Sequence, residues 1–327
     1  MGKTVEMSLN TVAEERKLKF KQFFNMIVSF LGLVVLVLFF GIVTKGQLVT
    51  PKNLMLIFKQ SFALLLASLA AVFIMSTGNL DFSLGANIGF CCSICTILCK
   101  SISPAAGILA ALAIGALIGA INGLAITKLK LPSFIACLCT MFILTAATQT
   151  ICSSKGGSIS MPLSMRKWDE VKIFVVVGVL YVAAMIVMFR YMRFGKYMKA
   201  IGVSPEAARQ SGVNVDLMIV LGYILTGLAA GLAAFLLMLR TGGVSSTTGQ
   251  TMTTDVIIAI VFGGMSVAGG ASSKISAAIL GTLIVTTLNN GMVLAGYGGE
   301  WQQFVKGILF LVIISVSTKR DANTIIK

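Results

Sequence analysis

The chain has 327 residues, of which 57% are hydrophobic and only 11% charged, with 33 glycines and 5 prolines; its mean hydropathy is +0.96. A soluble domain is about 45–50% apolar and about 25% charged, so composition excludes a soluble enzyme and a disordered interaction protein. Twenty-six Lys and Arg against eleven Asp and Glu give a net charge of +15, but the basic residues are spread between apolar runs with no arginine-rich arm, which speaks against nucleic acid and for basic residues kept in cytoplasmic loops.

In chain order, the polar and charged segment 1–25 reads as a cytoplasmic N-terminal segment, with no small-residue cleavage site after the apolar run that follows. Gly2-Lys3-Thr4 echoes the end of a phosphate-binding loop but lacks the preceding strand and upstream glycine. Met26–Val43 is therefore expected to stay as an anchor and to begin a transmembrane region, 26–318, followed by a cytoplasmic tail, 319–327. At about 20 residues per crossing, apolar windows predict spans near 26–43, 54–76, 83–99, 104–126, 132–151, 171–190, 216–239, 255–271, 275–296 and 303–318. Re-entry at 76–85 would change the count to nine or eleven. An even count puts both termini on one side, and Arg16, Lys17, Lys19, Lys21, Lys319 and Arg320 make that side cytoplasmic. Lys128, Lys130, Arg190, Arg193, Lys196, Lys199, Arg209 and Lys274 fall on the same side; Lys45 and Lys52 do not.

The missing residue types are as informative. With no histidine, Ser-His-Asp and Cys-His catalysis, imidazole zinc sites and histidine proton relays are excluded. Cys92-Ser93-Ile94-Cys95 is formally a C-x-x-C, yet it lies in an apolar helix. Cys91, Cys95 and Cys99 share one helical face and read as packing, with a metal or persulfide site or a disulfide as the alternatives. No metal or cofactor is expected in this chain.

Gly115, Gly119 and Gly123 form a ridge of small residues at four-residue spacing, and Gly227 with Gly231 repeats it, a device that lets helix backbones approach closely in lipid. The pairs Gly263-Gly264 and Gly269-Gly270 interrupt the eighth span and mark a break, which in a membrane persists only against protein or an aqueous cavity. Asp81 and Asp255 are the acids closest to membrane depth. Either they cap and brace helix ends, Asp255 together with Thr253 and Thr254, or they line a solute path. Candidates for that path are Asp81, Ser83, Asp255, Gly263, Gly264 and Asn289. No chain of acids crosses the bilayer, so proton coupling is not indicated.

The largest cytoplasmic loop, 190–216, carries a helix signature of its own. Ser204 suits the N-cap, Pro205 the first helical position, Glu206 the positive dipole end and Gly212 the stop, predicting a short helix over 205–211. Flanked by Arg193, Lys196, Lys199 and Arg209, it suits docking of a partner or contact with lipid headgroups.

Phe194-Gly195-Lys196-Tyr197, Ala200-Ile201-Gly202 and Pro205-Glu206-Ala207-Ala208-Arg209-Gln210-Ser211-Gly212-Val213-Asn214-Val215 resemble the coupling loop of bacterial ABC importer permeases of the ribose and simple-sugar type. Asn79 to Gly85, Ile121 to Leu124, Lys128 to Ala136, Gly263 to Ser266 with Gly269-Gly270, and Leu288 to Gly291 resemble that family in the same order. Two departures are Thr253-Thr254-Asp255 in place of Glu-Leu-Asp, and Ala271-Ser272-Ser273-Lys274 after Gly270.

The resemblance implies an all-α integral membrane bundle of about ten transmembrane helices with broken or re-entrant segments, similar to the type II ABC importer permease fold, in a bacterial inner membrane. It implies no catalysis in this chain. ATP and Mg would be used by a partner ABC ATP-binding subunit docked on Ser204, Pro205, Glu206, Ala207, Ala208, Arg209 and Gly212. An extracytoplasmic solute-binding protein, a second permease copy and membrane lipid complete the implied partners, with no nucleic acid. Rival readings are a permease for a branched-chain amino acid, a nucleoside or a furanone signal, an ion-coupled secondary carrier, and a membrane thiol enzyme.

Overall fold

The computed structural model describes residues 29–317; the N-terminal segment 1–25, the start of the first span, the tail 319–327 and the basic clusters read at both ends lie outside them. The helices are α1 (Ser29–Val43), α2 (Pro51–Ser76), α3 (Leu84–Ser101), α4 (Pro104–Thr127), α5 (Ser133–Ser153), α6 (Val171–Arg190), α7 (Arg193–Val203), α8 (Pro205–Gln210), α9 (Val215–Thr241), α10 (Met252–Phe262), α11 (Ile275–Leu294) and α12 (Gly299–Ser317). Among the described residues seven of these, α2 to α6, α9 and α11, are long and apolar enough to cross a membrane.

Helix α2 is enclosed by its neighbours, whereas α4, α5 and α6 turn apolar side chains such as Leu117, Phe142, Ile143, Val179 and Leu180 outward. In water that surface would be unstable; against acyl chains it costs nothing, because lipid is as apolar as the side chains it meets. The two glycine ridges meet each other. A Cβ on Gly115 would strike the Gly227 carbonyl and one on Gly227 the Gly115 carbonyl, while Gly119 faces the Tyr223 carbonyl and Gly231 that of Ala111. The most extensive helix contact among the described residues, α4 on α9, is thus written as two small-residue spacings.

One face of the bundle gathers the α7–α8 segment, the end of α2 and the stretch after α10. The Gly270 amide donates to the Ser76 carbonyl at 2.9 Å, a Cβ on Gly202 would meet that same carbonyl, and Ser29 Oγ donates to the Phe262 carbonyl at 2.8 Å. Phe194 of α7 stacks on Phe73 of α2, which also meets Phe189 edge-on, so α7 is keyed into the core.

Two expectations change. The span read over 255–271 is a helix only to Phe262; Gly264, Gly269 and Gly270 take positive φ of 91°, 70° and 85° and the chain runs irregularly to Lys274. The glycine pairs do mark the break, but apolarity averaged across it had disguised a half-length helix. On the opposite face, β1 (Ser158–Ser160) pairs antiparallel with β2 (Gly243–Ser245), an addition to the all-helical reading. Three-residue strands leave no alternation for a sequence to display.

Candidate functional site

After α2 ends, residues 77–83 turn back into the bundle, and α3 starts beside the last turns of α4 and the middle of α9. The Tyr223 hydroxyl donates to the Leu80 carbonyl at 3.3 Å. Asp81 Oδ2 accepts from Thr226 Oγ1 at 3.3 Å, and its Oδ1 accepts from the Ser83 amide at 2.9 Å and Ser83 Oγ at 2.6 Å. Asn122 Nδ2 donates to Ser83 Oγ at 2.8 Å, and Thr140 Oγ1 donates to Asn122 Oδ1 at 2.6 Å. Asp81 and Ser83 therefore belong to one buried network joining α3, α4, α5 and α9. With each carboxylate oxygen engaged, Asp81 braces the turn into α3.

A second re-entry mirrors the first. From β2 the segment 246–251 returns beside α3, where a Cβ on Gly89 would meet the Thr248 carbonyl. Helix α10 begins where α3 begins: the Gly85 amide donates to Thr253 Oγ1 at 2.8 Å, and Thr253 Oγ1 donates to the Phe82 carbonyl at 3.2 Å. The N-termini of both helices, the positive ends of their dipoles, meet inside the bundle.

Asp255 does not cap α10. The N-cap residue is Thr251, without a side-chain cap bond, and Thr253 is spent on α3. Asp255 instead accepts from Lys306 Nζ at 2.6 Å and from Asn289 Nδ2 at 3.2 Å, tying α10 to α12 and α11. The ion pair is almost wholly enclosed, with side chains 3% and 9% exposed. Of the residues read as a solute path, Asn289 thus joins Asp255, Asp81 joins Ser83, and Gly263 and Gly264 end α10 on the face shared with α7 and α8. Sequence reasoning passed over Lys306. The signal was present: a lysine inside an apolar span needs an acid as partner.

Above the α10 start lies a cavity of about 380 Å³ between α2, α9, α10 and α11, within the range of small-molecule sites. Polar groups from Asn53, Gln60, Arg240, Thr248, Thr251 and Asn289 line it with Asp255. Its lining draws on the first turns of α2 and the last turns of α9 and α11, so it occupies the half of the bundle remote from α7 and α8.

At the other face, Ser204 Oγ accepts from the Ala207 amide at 3.2 Å and α8 runs from Pro205 to Gln210. Gly212 stops it at φ 81°. Ala208 packs with Ile201 and Val215, joining α7, α8 and α9. Arg209 reaches both Glu206 at 3.4 Å and Asp216, the second residue of α9, at 3.2 Å. Arg193 and Lys196 are exposed. Lys199 lies over the Phe189 ring at 4.3 Å, and burial, then the nearby Arg190 charge, push its ammonium below the usual lysine range.

The cysteine face of α3 is packing. Cys91, Cys92, Cys95 and Cys99 are buried and unbridged, and no group of side chains able to hold a metal ion occurs among the described residues.

Comparison with known proteins agrees with the coupling-loop resemblance. The ribose import permease protein RbsC of Bacillus subtilis (strain 168) is 30% identical over 316 residues, covering 94% of this chain and 98% of that protein. The fructose import permease protein FrcC of Rhizobium meliloti is 31% identical over 303 residues, 88% of this chain and 84% of that one. The galactose/methyl galactoside import permease protein MglC of Haemophilus influenzae (strain ATCC 51907 / DSM 11121 / KW20 / Rd) is 32% identical over 291 residues, 82% and 86%. No solved structure matches the chain. Residues 53–314 fit the family described as branched-chain amino acid transport system / permease component, and the chain belongs to that family of multi-pass membrane permeases.

Proposed function

We propose that this chain is the membrane-spanning subunit of an ATP-driven ABC importer for a simple sugar. The observation that carries the reading is the meeting of two re-entrant helix starts, α3 and α10, below a polar cavity, since broken helices meeting at membrane depth are how carriers build a path through lipid. The relatives named above, which import ribose, fructose and galactose, support the sugar class.

In this reading the bundle makes about ten crossings in the manner of the type II importer fold, with both termini cytoplasmic. Two copies pair, a solute-binding protein delivers the sugar on the side of β1 and β2, and anionic lipid surrounds the basic cytoplasmic rim. Ser204 to Gly212 dock an ATP-binding subunit that hydrolyses MgATP, and Asp81, Ser83, Asp255, Asn289, Gly263 and Gly264 border the path. The description of the matched family favours a second reading, a branched-chain amino acid as solute. Thermal stabilisation of the co-encoded binding protein separates the two. Ribose, fructose or galactose should raise its melting temperature; a rise with leucine and none with sugars would overturn the sugar assignment.

A further inference from the structure

We infer that residues 154–172 form a cationic docking platform for an acidic face of the solute-binding protein, with Arg166, Lys167 and Lys172 as its principal charges and Lys155 beside them. The inference rests on the importer reading above and assigns to it a surface, on the side of β1 and β2. Lys155, Arg166, Lys167 and Lys172 are all exposed, and none of them forms an ion pair among the described residues. The acids of the same stretch do not neutralise them. Asp169 is held by Lys59 at 3.0 Å, which leaves Glu170 as the remaining acid. Basic residues are ordinarily kept on the cytoplasmic side, so these cations on the side remote from α7 and α8 need a reason.

Two ordinary reasons fit poorly. A loose connection would carry charge for solubility alone, but this one is folded onto the bundle along its length. Ile159 of β1 is buried opposite Val244 of β2, and the Met161 amide donates to the Gly242 carbonyl at 2.9 Å. Met165 is buried, and Trp168 meets Phe235 of α9 edge-on. Lys59 Nζ then donates to the Asp169 carbonyl at 2.6 Å as well as to its carboxylate. Snorkelling toward lipid headgroups would suit cations at the rim of the bundle. Arg166 and Lys167 instead lie on a 3-10 turn, Leu163–Trp168, seated over the enclosed end of α9, where residues 233–239 are all buried. Unpaired charges held rigidly above protein suit a protein partner of opposite sign. Charges of this kind act chiefly by steering encounter, which raises association rates roughly 10- to 1,000-fold. The placement also serves delivery: Thr241 and Thr248, on either side of β2, line the cavity, so a protein seated on β1 rests one strand from the cavity wall.

The test is binding of the purified, sugar-loaded, co-encoded binding protein to the permease with its ATP-binding subunits, in nanodiscs of phosphatidylcholine alone. Arg166→Gln with Lys167→Gln should slow association about tenfold at low salt while dissociation changes much less. Adding Lys172→Gln should slow it further, and the gap from wild type should close as salt is raised. These side chains are exposed, so membrane abundance, co-purification of the ATP-binding subunit and basal ATP hydrolysis should stay at the wild-type level. Binding-protein-stimulated hydrolysis should reach the wild-type maximum, at a binding-protein concentration about tenfold higher. A merely structural role would not give a salt-dependent difference confined to association. Equal association rates at low salt for wild type and the triple variant would overturn the platform and leave the importer reading standing. A defect seen only after phosphatidylglycerol is added to the discs would do the same, and would assign the cations to lipid. A wild-type complex that neither binds the binding protein nor responds to it would overturn the importer reading and the platform together.

Discussion

The Gly85 amide donates to Thr253 Oγ1 at 2.8 Å, across 168 residues of sequence, and this bond joins the first turn of α3 to the first turn of α10. Only glycine fits there. A Cβ on Gly85 would lie 2.5 Å from the Gly249 carbonyl and 2.6 Å from Thr253 Oγ1. Both N-termini have amides without intrahelical acceptors, and Thr253 answers one of them while bonding back to the Phe82 carbonyl.

Gly85→Ala should therefore push the two helix starts apart. Overpacking of this kind costs about 1–3 kcal/mol, and here it falls on the junction itself. The buried cysteines of α3 serve as the reporter: a thiol-reactive dye followed against temperature should show unfolding several degrees earlier than wild type. An unchanged melting profile would mean that the junction opens freely and is not a packed element.

Lys306 and Asp255 give a sharper test, because the two possible roles differ in sign. Truncating one partner of a buried ion pair commonly costs about 3–5 kcal/mol, since the other charge is left unpaired, whereas replacing both with apolar or neutral groups is often close to neutral. Lys306→Met alone should thus lower abundance in the membrane and thermal stability. Lys306→Met with Asp255→Asn should recover most of both. If the double variant is as unstable as the single, the pair is not what fixes α12 against α10.

These contacts divide what the sequence discloses from what it hides. The α8 helix was legible because its signals are local: Ser204, Pro205 and Gly212 each act on their own turn. The α4–α9 contact was legible because spacing alone fixes which face of a helix carries glycine. The bond between Lys306 and Asp255 spans 51 positions and has no local trace. The start of α3 beside the middle of α9 was half legible: re-entry at 76–85 stood beside a plain turn as a reading of the sequence, and the tertiary bonds of Asp81 and Tyr223 are what favour re-entry.

The glycine ridges yield a paired prediction. Gly227→Ala places a methyl against the Gly115 carbonyl, where backbone meets backbone and no side chain can swing aside. Its cost should exceed the gain of about 1 kcal/mol that alanine brings to a helix interior. Gly41→Ala, in α1 with open space around its Cβ position, should keep that gain. Thermal unfolding of the two variants should move in opposite directions, and a shift of the same sign in both would remove the close-approach role of the ridge.

Arg209 is the last case, because it holds two acids on two helices, Glu206 in α8 and Asp216 at the start of α9. All three side chains are about half exposed or more, and exposed pairs of this kind contribute only about 0–1 kcal/mol. Folding should hardly notice their loss, since Ala208 with Ile201 and Val215 keeps α8 seated. A docking surface behaves differently: truncating an interface anchor commonly costs about 2 kcal/mol, or roughly thirtyfold in affinity. Glu206→Ala with Arg209→Ala is therefore expected to leave membrane abundance unchanged while weakening co-purification of the ATP-binding subunit. Binding-protein-stimulated ATP hydrolysis and uptake should fall in step. A double variant that retains its ATPase and transports at the wild-type rate would show that force enters the bundle elsewhere, with the stacked Phe194 and Phe73 the next contact to break.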